Sequence, residues 1–209
     1  MSPRPPAETR DEILSTTRQM LLQAAAAEFA ENGYVGANIN KISTAAGFAK
    51  GTIYNYFPSK RALMLALIDE VAAKHTSVIT ALVDTEEDPT LRLKLFFEAG
   101  FSFVEEHPTQ AQITISVVYG HDAEFKHRFY EAYNDLFNLM IDDIVGVGMA
   151  QGDFRSTNSD FVGALLMSLY LGSMSQLDPK GKIWFDPNDI MTFVMEGLGQ
   201  QIDTGKNQE

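Results

Sequence analysis

The chain has 209 residues, 45% hydrophobic and 21% charged, with a net charge of −12, a composition that suits one large or two small soluble domains. Cysteine is absent, which excludes disulfides and thiolate metal sites and fits a reducing cytoplasm. No apolar run approaches the roughly 20 residues of a membrane span and "MSPRPPAETRDE" has no apolar leader core, so the expectation is a cytoplasmic protein without membrane contact.

Apolar residues recur at helical spacing and strand-like alternation is rare, so the reading is all-α, with about nine helices. The Pro-rich residues 1–16 are expected as a flexible extension, in which Arg4 and Arg10, with Arg18 beyond, form either a DNA-contacting arm or a plain tail. A first helix is expected over Thr17–Asn32, with Leu22, Ala25, Ala26 and Phe29 on one face, closed by Asn32 and Gly33. Asn38 caps a short helix stopped by Gly47, a third runs from Lys50 to Tyr56 before Pro58, and Ser59 caps a longer helix from Lys60.

Two short helices across a Gly-containing turn make a helix-turn-helix, whose second helix can enter the DNA major groove. Ile39, Ile42, Ala46, Ile53 and Phe57 are expected to face inward. Lys50, Thr52, Tyr54, Asn55 and Tyr56 are left outside, with Gly51 permitting close backbone approach. Lys50 suits a guanine edge or a phosphate and Asn55 an adenine, while Lys60, Asn38, Asn40 and Thr44 are backbone contacts. Charge layout agrees: residues 1–31 sum to −2, 32–68 to +4 without one acid, and 69–209 to −14. DNA is thus repelled except at one face.

"QMLLQAAAAEFAENGY" followed by "INKISTAAGFAKGTIYNYFPSKRAL" resembles the N-terminal domain of TetR-type transcriptional regulators. Ala49 stands where that family often has a capping Ser, and the lead-in before Thr17 is longer than usual. The resemblance implies a DNA-binding domain over residues 17–62 and a helical effector-binding and dimerisation domain over 63–209. It further implies a homodimer on a pseudo-palindromic double-stranded operator, and a small molecule that alters the spacing of the two recognition helices. Such regulators are usually repressors and carry no cofactor.

Beyond Thr85 the helices are expected at Pro89–Glu106, His107–Val118, Asp122–Ala150, from the Asn158 cap to Gln176, and from Pro187 onward. "FVGALLMSLYLGSMSQL" is apolar round most of its circumference. Phe161, Leu165 and Leu169, with Met191, Val194, Leu198 and Ile202 of the last helix, are therefore assigned to a dimer interface. Aromatics crowd residues 95–140. Phe97, Phe101, Phe103, Tyr119, Phe129, Tyr133 and Phe137, with Met167, suit either a core or the lining of a pocket for a largely apolar effector.

His121 and His127 do not make a metal-ligand pattern; Glu124 and His127 alone share a three-residue helical offset. Neither paired Glu-x-x-His sets, a nucleophile elbow nor a phosphate loop occurs, so no enzyme is expected. A helical interaction module without DNA binding is the alternative. It would place acids or bulky apolar groups where Lys50, Thr52 and Asn55 stand.

Overall fold

The computed structural model describes residues 7–178 and 181–198. Among them the regular structure is helical, with isolated bridge residues such as the antiparallel pair Leu177 and Ile183, and no helix is long and apolar enough to cross a membrane. Arg4 and Ile202 lie outside the described residues.

Helix α1 (Ala7–Gly36) is interrupted at Gly33 and is followed by α2 (Ile39–Ala45), a single 3₁₀ turn (Thr52–Asn55) and α3 (Lys60–Val83). Thus α1 begins at Ala7, well before the expected Thr17. Leu21, Leu22, Ala25, Ala26 and Phe29 on α1 are buried, and so are Ile42, Ala46, Ile53 and Phe57 of the segments after it. Along α3 the buried stripe Leu63, Leu67, Val71, His75, Ile79 and Val83 advances four residues at a time, the repeat that keeps one helical face turned inward.

Helices α4 (Pro89–Glu106), α5 (Pro108–Val118), α6 (Ala123–Ala132), α9 (Ser159–Met174) and α10 (Pro187–Leu198) start close to where the prolines and Asn or Asp caps place them. Asp88 accepts from Leu91 N–H and Asn158 from Phe161 N–H, at 2.9 and 2.7 Å. The expected single helix over Asp122–Ala150 is corrected. It is divided into α6, α7 (Asn134–Asn138), a π-helical stretch (Leu139–Gly146) and α8 (Val147–Gln151). The break falls at Tyr133, whose side chain turns into the core. The wider π register brings Met140, Ile144 and Val145, all fully buried, onto one inner face, and the stretch packs on α4 and α9.

Two compact units emerge. The first holds the residues up to Ala72 together with Thr109–Ala132, so that α6 groups with the N-terminal helices rather than with the rest of the expected domain over 63–209. The second holds Ala73–Pro108 and the chain from Tyr133 onward.

Candidate functional site

In the first unit, Asn38 ends the loop after α1 and N-caps α2, its Oδ1 accepting from Asn40 N–H at 2.9 Å and Lys41 N–H at 3.4 Å. Its own N–H donates to Glu28 Oε1 at 2.9 Å. Ser43 Oγ donates to Ala49 O at 2.7 Å across the turn, which supplies an internal tie where Ala49 replaces a capping Ser. Gly51 adopts φ 86°, ψ −9°, a left-handed conformation in which any Cβ is strained.

That left-handed residue delays the start of the expected third helix. Lys50 lies in the turn, and only Thr52–Asn55 wind, as 3₁₀, before Pro58. Ile53 and Phe57 anchor this turn from beneath. Lys50, Tyr54 and Asn55 are exposed, as are Asn40, Lys41 and Thr44 on α2, while Thr52 and Tyr56 are half-buried. One surface therefore presents two lysines, amides, hydroxyls and phenols. Lys41 went unassigned in the sequence, although it lies in the acid-free block one residue from Asn40.

Two further expected DNA contacts, besides the capping Asn38, have internal partners. Thr44 Oγ1 donates to Asn40 O, which leaves its lone pairs as the outward groups. Lys60 Nζ donates to Val35 O at 2.9 Å and Ala37 O at 2.7 Å and lies 5.2 Å from the Tyr34 ring centre. It thus caps the frayed carbonyls after the Gly33 break. Arg18 stacks over Phe57 at 5.4 Å, a packing role for the described member of the expected N-terminal arm.

Next to Lys60 begins an ionic network that fixes α6. Arg61 donates bidentately to Asp122, at 2.9 and 3.2 Å, and to Glu124 at 2.6 Å, and its guanidinium covers the Phe125 ring at 4.8 Å. Asp122 also caps α6 by accepting from Glu124 N–H and Phe125 N–H. The Arg61 hydrogen bond holds the Asp122 carboxyl below its ordinary range, against a smaller desolvation effect, with the Phe125 N–H adding to the lowering. One turn on, Arg128 donates to both oxygens of Asp69 at 2.6 and 2.8 Å and to Glu131 at 3.1 Å. Phe125 meets Tyr34 edge to face at 4.9 Å.

The second unit contains a buried polar group that the sequence analysis did not single out. His75 is fully buried; Nε2 lies 2.7 Å from Tyr170 Oη and Nδ1 3.2 Å from Tyr133 Oη. Burial lowers its pKa from 6.5 to about 3. The neutral ring donates through one nitrogen and accepts through the other, so one tyrosine receives a proton and the other gives one. Burial raises the Tyr170 pKa, which keeps its phenol protonated. Phe103 stacks on the imidazole at 4.2 Å, while Phe96, Phe97 and Phe101 surround Tyr170 at 5.2 to 6.1 Å. Gly100 makes room for that phenol: a Cβ there would lie 1.9 Å from Tyr170 Oη.

Of the aromatics assigned to a pocket, Phe97, Phe101, Phe103 and Tyr133 gather in this nest. Met167 is buried and Phe137 half-buried in the same unit. Tyr119 and Phe129 belong to the first unit. Tyr119, at the end of α5, is 56% exposed. His75 was detectable as the next member, four residues on, of the stripe Leu63, Leu67, Val71. Among the described residues no group of three or more His, Asp or Glu could hold a metal ion.

The face assigned to dimerisation is partly revised. Phe161 and Leu165 are 61% and 53% exposed, and Leu169 is half-buried. Met191, Val194 and Leu198 are buried, although Val194 and Leu198 still border the groove described next, and Phe193, 71% exposed, stands beside them on α10. A three-to-four repeat picks out one stripe without saying which side it faces. Phe161, Leu165, Leu169 and Phe193 line an apolar groove of about 640 Å³.

Residues 21–67 match the family model described as bacterial regulatory proteins, tetR family. The HTH-type transcriptional repressor KstR2 of Mycobacterium tuberculosis is 28% identical over 146 residues, 68% of this chain and 71% of that protein. HTH-type transcriptional repressor AcnR of Corynebacterium diphtheriae is 38% identical over 77 residues, 36% of this chain and 40% of its own length. The crystal structure of the transcriptional regulator FadR from Bacillus subtilis in complex with stearoyl-CoA shares the fold with a TM-score of 0.74 at 21% identity, covering 85% of this chain and 95% of that one. With the helix-turn-helix of the first unit, these matches place residues 21–67 in the tetR-family DNA-binding domain and show that the described chain has the fold of the regulators it resembles.

Proposed function

We propose that the protein is a cytoplasmic, ligand-responsive repressor that binds a pseudo-palindromic operator as a homodimer. The observation that carries the reading is the acid-free outward surface of Lys50, Tyr54, Asn55, Asn40 and Lys41, held rigid by Ile53, Phe57 and the Asn38 cap. Lys50 and Asn55 are the base-reading candidates, and Thr52, Tyr54, Tyr56, Asn40 and Thr44 position the backbone. Lys60 and Asn38 serve this surface from inside, by holding the chain on either side of it.

Phe161, Leu165, Leu169 and Phe193 form an exposed apolar groove of the kind that a second copy covers. A twofold dimer sets its recognition turns one helical repeat of DNA apart, roughly 34 to 36 Å or a multiple. An effector held in the second unit and preferring another spacing releases the operator, and by reciprocity the operator weakens the effector. The relatives described as KstR2 and as FadR with stearoyl-CoA favour a largely apolar effector for this chain.

A gel shift of the purified protein on fragments of its own upstream DNA, across a salt series, tests the reading. A sequence-selective shift that weakens as salt rises is expected. The absence of any selective shift at low salt refutes DNA binding and leaves a helical interaction module.

A further inference from the structure

The second unit places a hydrogen-bonding triad where an all-apolar core would be cheaper to fold. An imidazole and two phenols lose water on burial, a cost that their mutual bonds help to offset. His75, Tyr133 and Tyr170 are 0%, 3% and 0% exposed, and the walls are Phe96, Phe97, Phe101 and Phe103. The three members come from three separate stretches, α3, the α6–α7 break and α9.

Two features show where this nest can open. Tyr133 sits at the helix break with φ −97°, ψ 7°, close to the sparsely allowed bridge region that is common among functional residues. The π-helical stretch begins six residues later, and such stretches are frequent at functional sites. The longer His75 contact, 3.2 Å against 2.7 Å, is the one to Tyr133.

We propose that this triad is the polar anchor of the effector site and takes an uncharged, chiefly apolar molecule with a single hydrogen-bonding oxygen, such as an alcohol or a ketone. Its oxygen takes the place of the Tyr133 hydroxyl at His75 Nδ1, and its hydrocarbon part takes the place of the Tyr133 ring as that residue swings outward. The imidazole adapts to either ligand by tautomer: with Nε2–H donating to Tyr170, Nδ1 accepts from an alcohol; with Tyr170 donating to Nε2, Nδ1–H donates to a ketone. A free carboxylate is disfavoured, since it would be buried against a neutral imidazole with no cation among the triad or its aromatic walls. This rests on the reading of the protein as ligand-responsive, and it names the class of ligand and the residues that hold it.

The test uses full-length protein labelled with nitrogen-15 and titrated with decan-1-ol, decan-2-one and decanoate. The melting temperature is followed together with the side-chain spectra of the four histidines. His75 is assigned as the ring whose signals are missing from the spectrum of His75→Gln. The alcohol or the ketone is expected to raise the melting temperature and move the His75 nitrogen signals, with decanoate at least about tenfold weaker, the factor that 1.4 kcal/mol of unpaired burial produces. Tyr133→Phe, which removes only the displaced hydroxyl, is expected to keep or improve ketone affinity.

Equal or tighter binding of decanoate overturns the uncharged class. Binding that leaves His75 unmoved overturns the anchor, and a tenfold loss in Tyr133→Phe overturns the displacement. If none of the three probes binds, the site is refuted. The operator gel shift on the same preparation reports the DNA-binding reading separately.

Discussion

Lowering the pH from 7.5 to 5 should destabilise the protein through His75 in particular. In the unfolded chain this ring takes up a proton near its ordinary 6.5, whereas in the folded protein burial delays protonation to about 3. The folded state therefore binds fewer protons between those values, and stability falls as pH drops through 6.5 and goes on falling until about 3. At about 1.36 kcal/mol per pH unit, the loss is roughly 2 kcal/mol by pH 5 and about 5 kcal/mol over the whole interval. Since a domain is stable by about 5–15 kcal/mol, the first of these is large enough to measure. Urea unfolding followed by far-ultraviolet circular dichroism at pH 7.5, 6 and 5 gives the slope. His75→Gln, which keeps a hydrogen-bonding group but cannot take up the proton, is the control. The reasoning is refuted if the wild type loses less than about 0.5 kcal/mol over that range, or if the variant shows the same slope.

Four further outcomes are expected. Gly100→Ala places a methyl 1.9 Å from Tyr170 Oη and should cost about 2–5 kcal/mol, from overpacking and from the broken bond to His75, as read in a urea or thermal melt. Lys50→Ala should weaken operator binding by about 1–3 kcal/mol and relax the preference at one base position, measured by titration against a panel of single-base operator variants. Lys60→Met should lower stability by about 1 kcal/mol while leaving the salt slope of operator binding unchanged; a slope smaller by about one would instead identify a phosphate contact. Phe193→Asp puts a charge on the most exposed aromatic of the apolar groove, and sedimentation should show the population shifting to monomer.

Much of the fold was legible because its punctuation is local. Asn38, Asp88 and Asn158 accept the N–H groups that cap residues are expected to satisfy, and Pro89, Pro108 and Pro187 open their helices. The inward side of the helix-turn-helix followed from spacing too, with Ile42, Ala46, Ile53 and Phe57 buried. What escaped depended on partners distant in sequence. Tyr133 interrupts an otherwise helical run in order to reach His75, 58 residues away. Periodicity found the stripe Met191, Val194 and Leu198, which is buried, and missed the exposed Phe193 that shares the groove with Val194 and Leu198. Gly51 was recognised for its small size, but its left-handed conformation, which shortens the recognition helix to a single turn, shows only in the backbone.

The most consequential of these hidden features is the grouping of α6 with the DNA-binding helices. A division after residue 62 follows from the motif alone, but Arg61 binds Asp122 and Glu124, and Arg128 binds Asp69, across separations of 59 to 63 residues. These pairs are partly exposed, and isolated pairs of that kind contribute little to stability. Their bidentate geometry instead fixes the orientation of α6 against α3. In the proposed mechanism that orientation matters more than the energy. The start of α6 is clamped through Asp122 to Arg61 and its middle through Arg128 to Asp69. Arg61 in turn is bonded in sequence to Lys60, which holds the carbonyls of Val35 and Ala37 just before the Asn38 cap of α2. Within the first unit, two-point ion pairs and the Lys60 contacts thus tie α6 to the carbonyls that precede the helix-turn-helix.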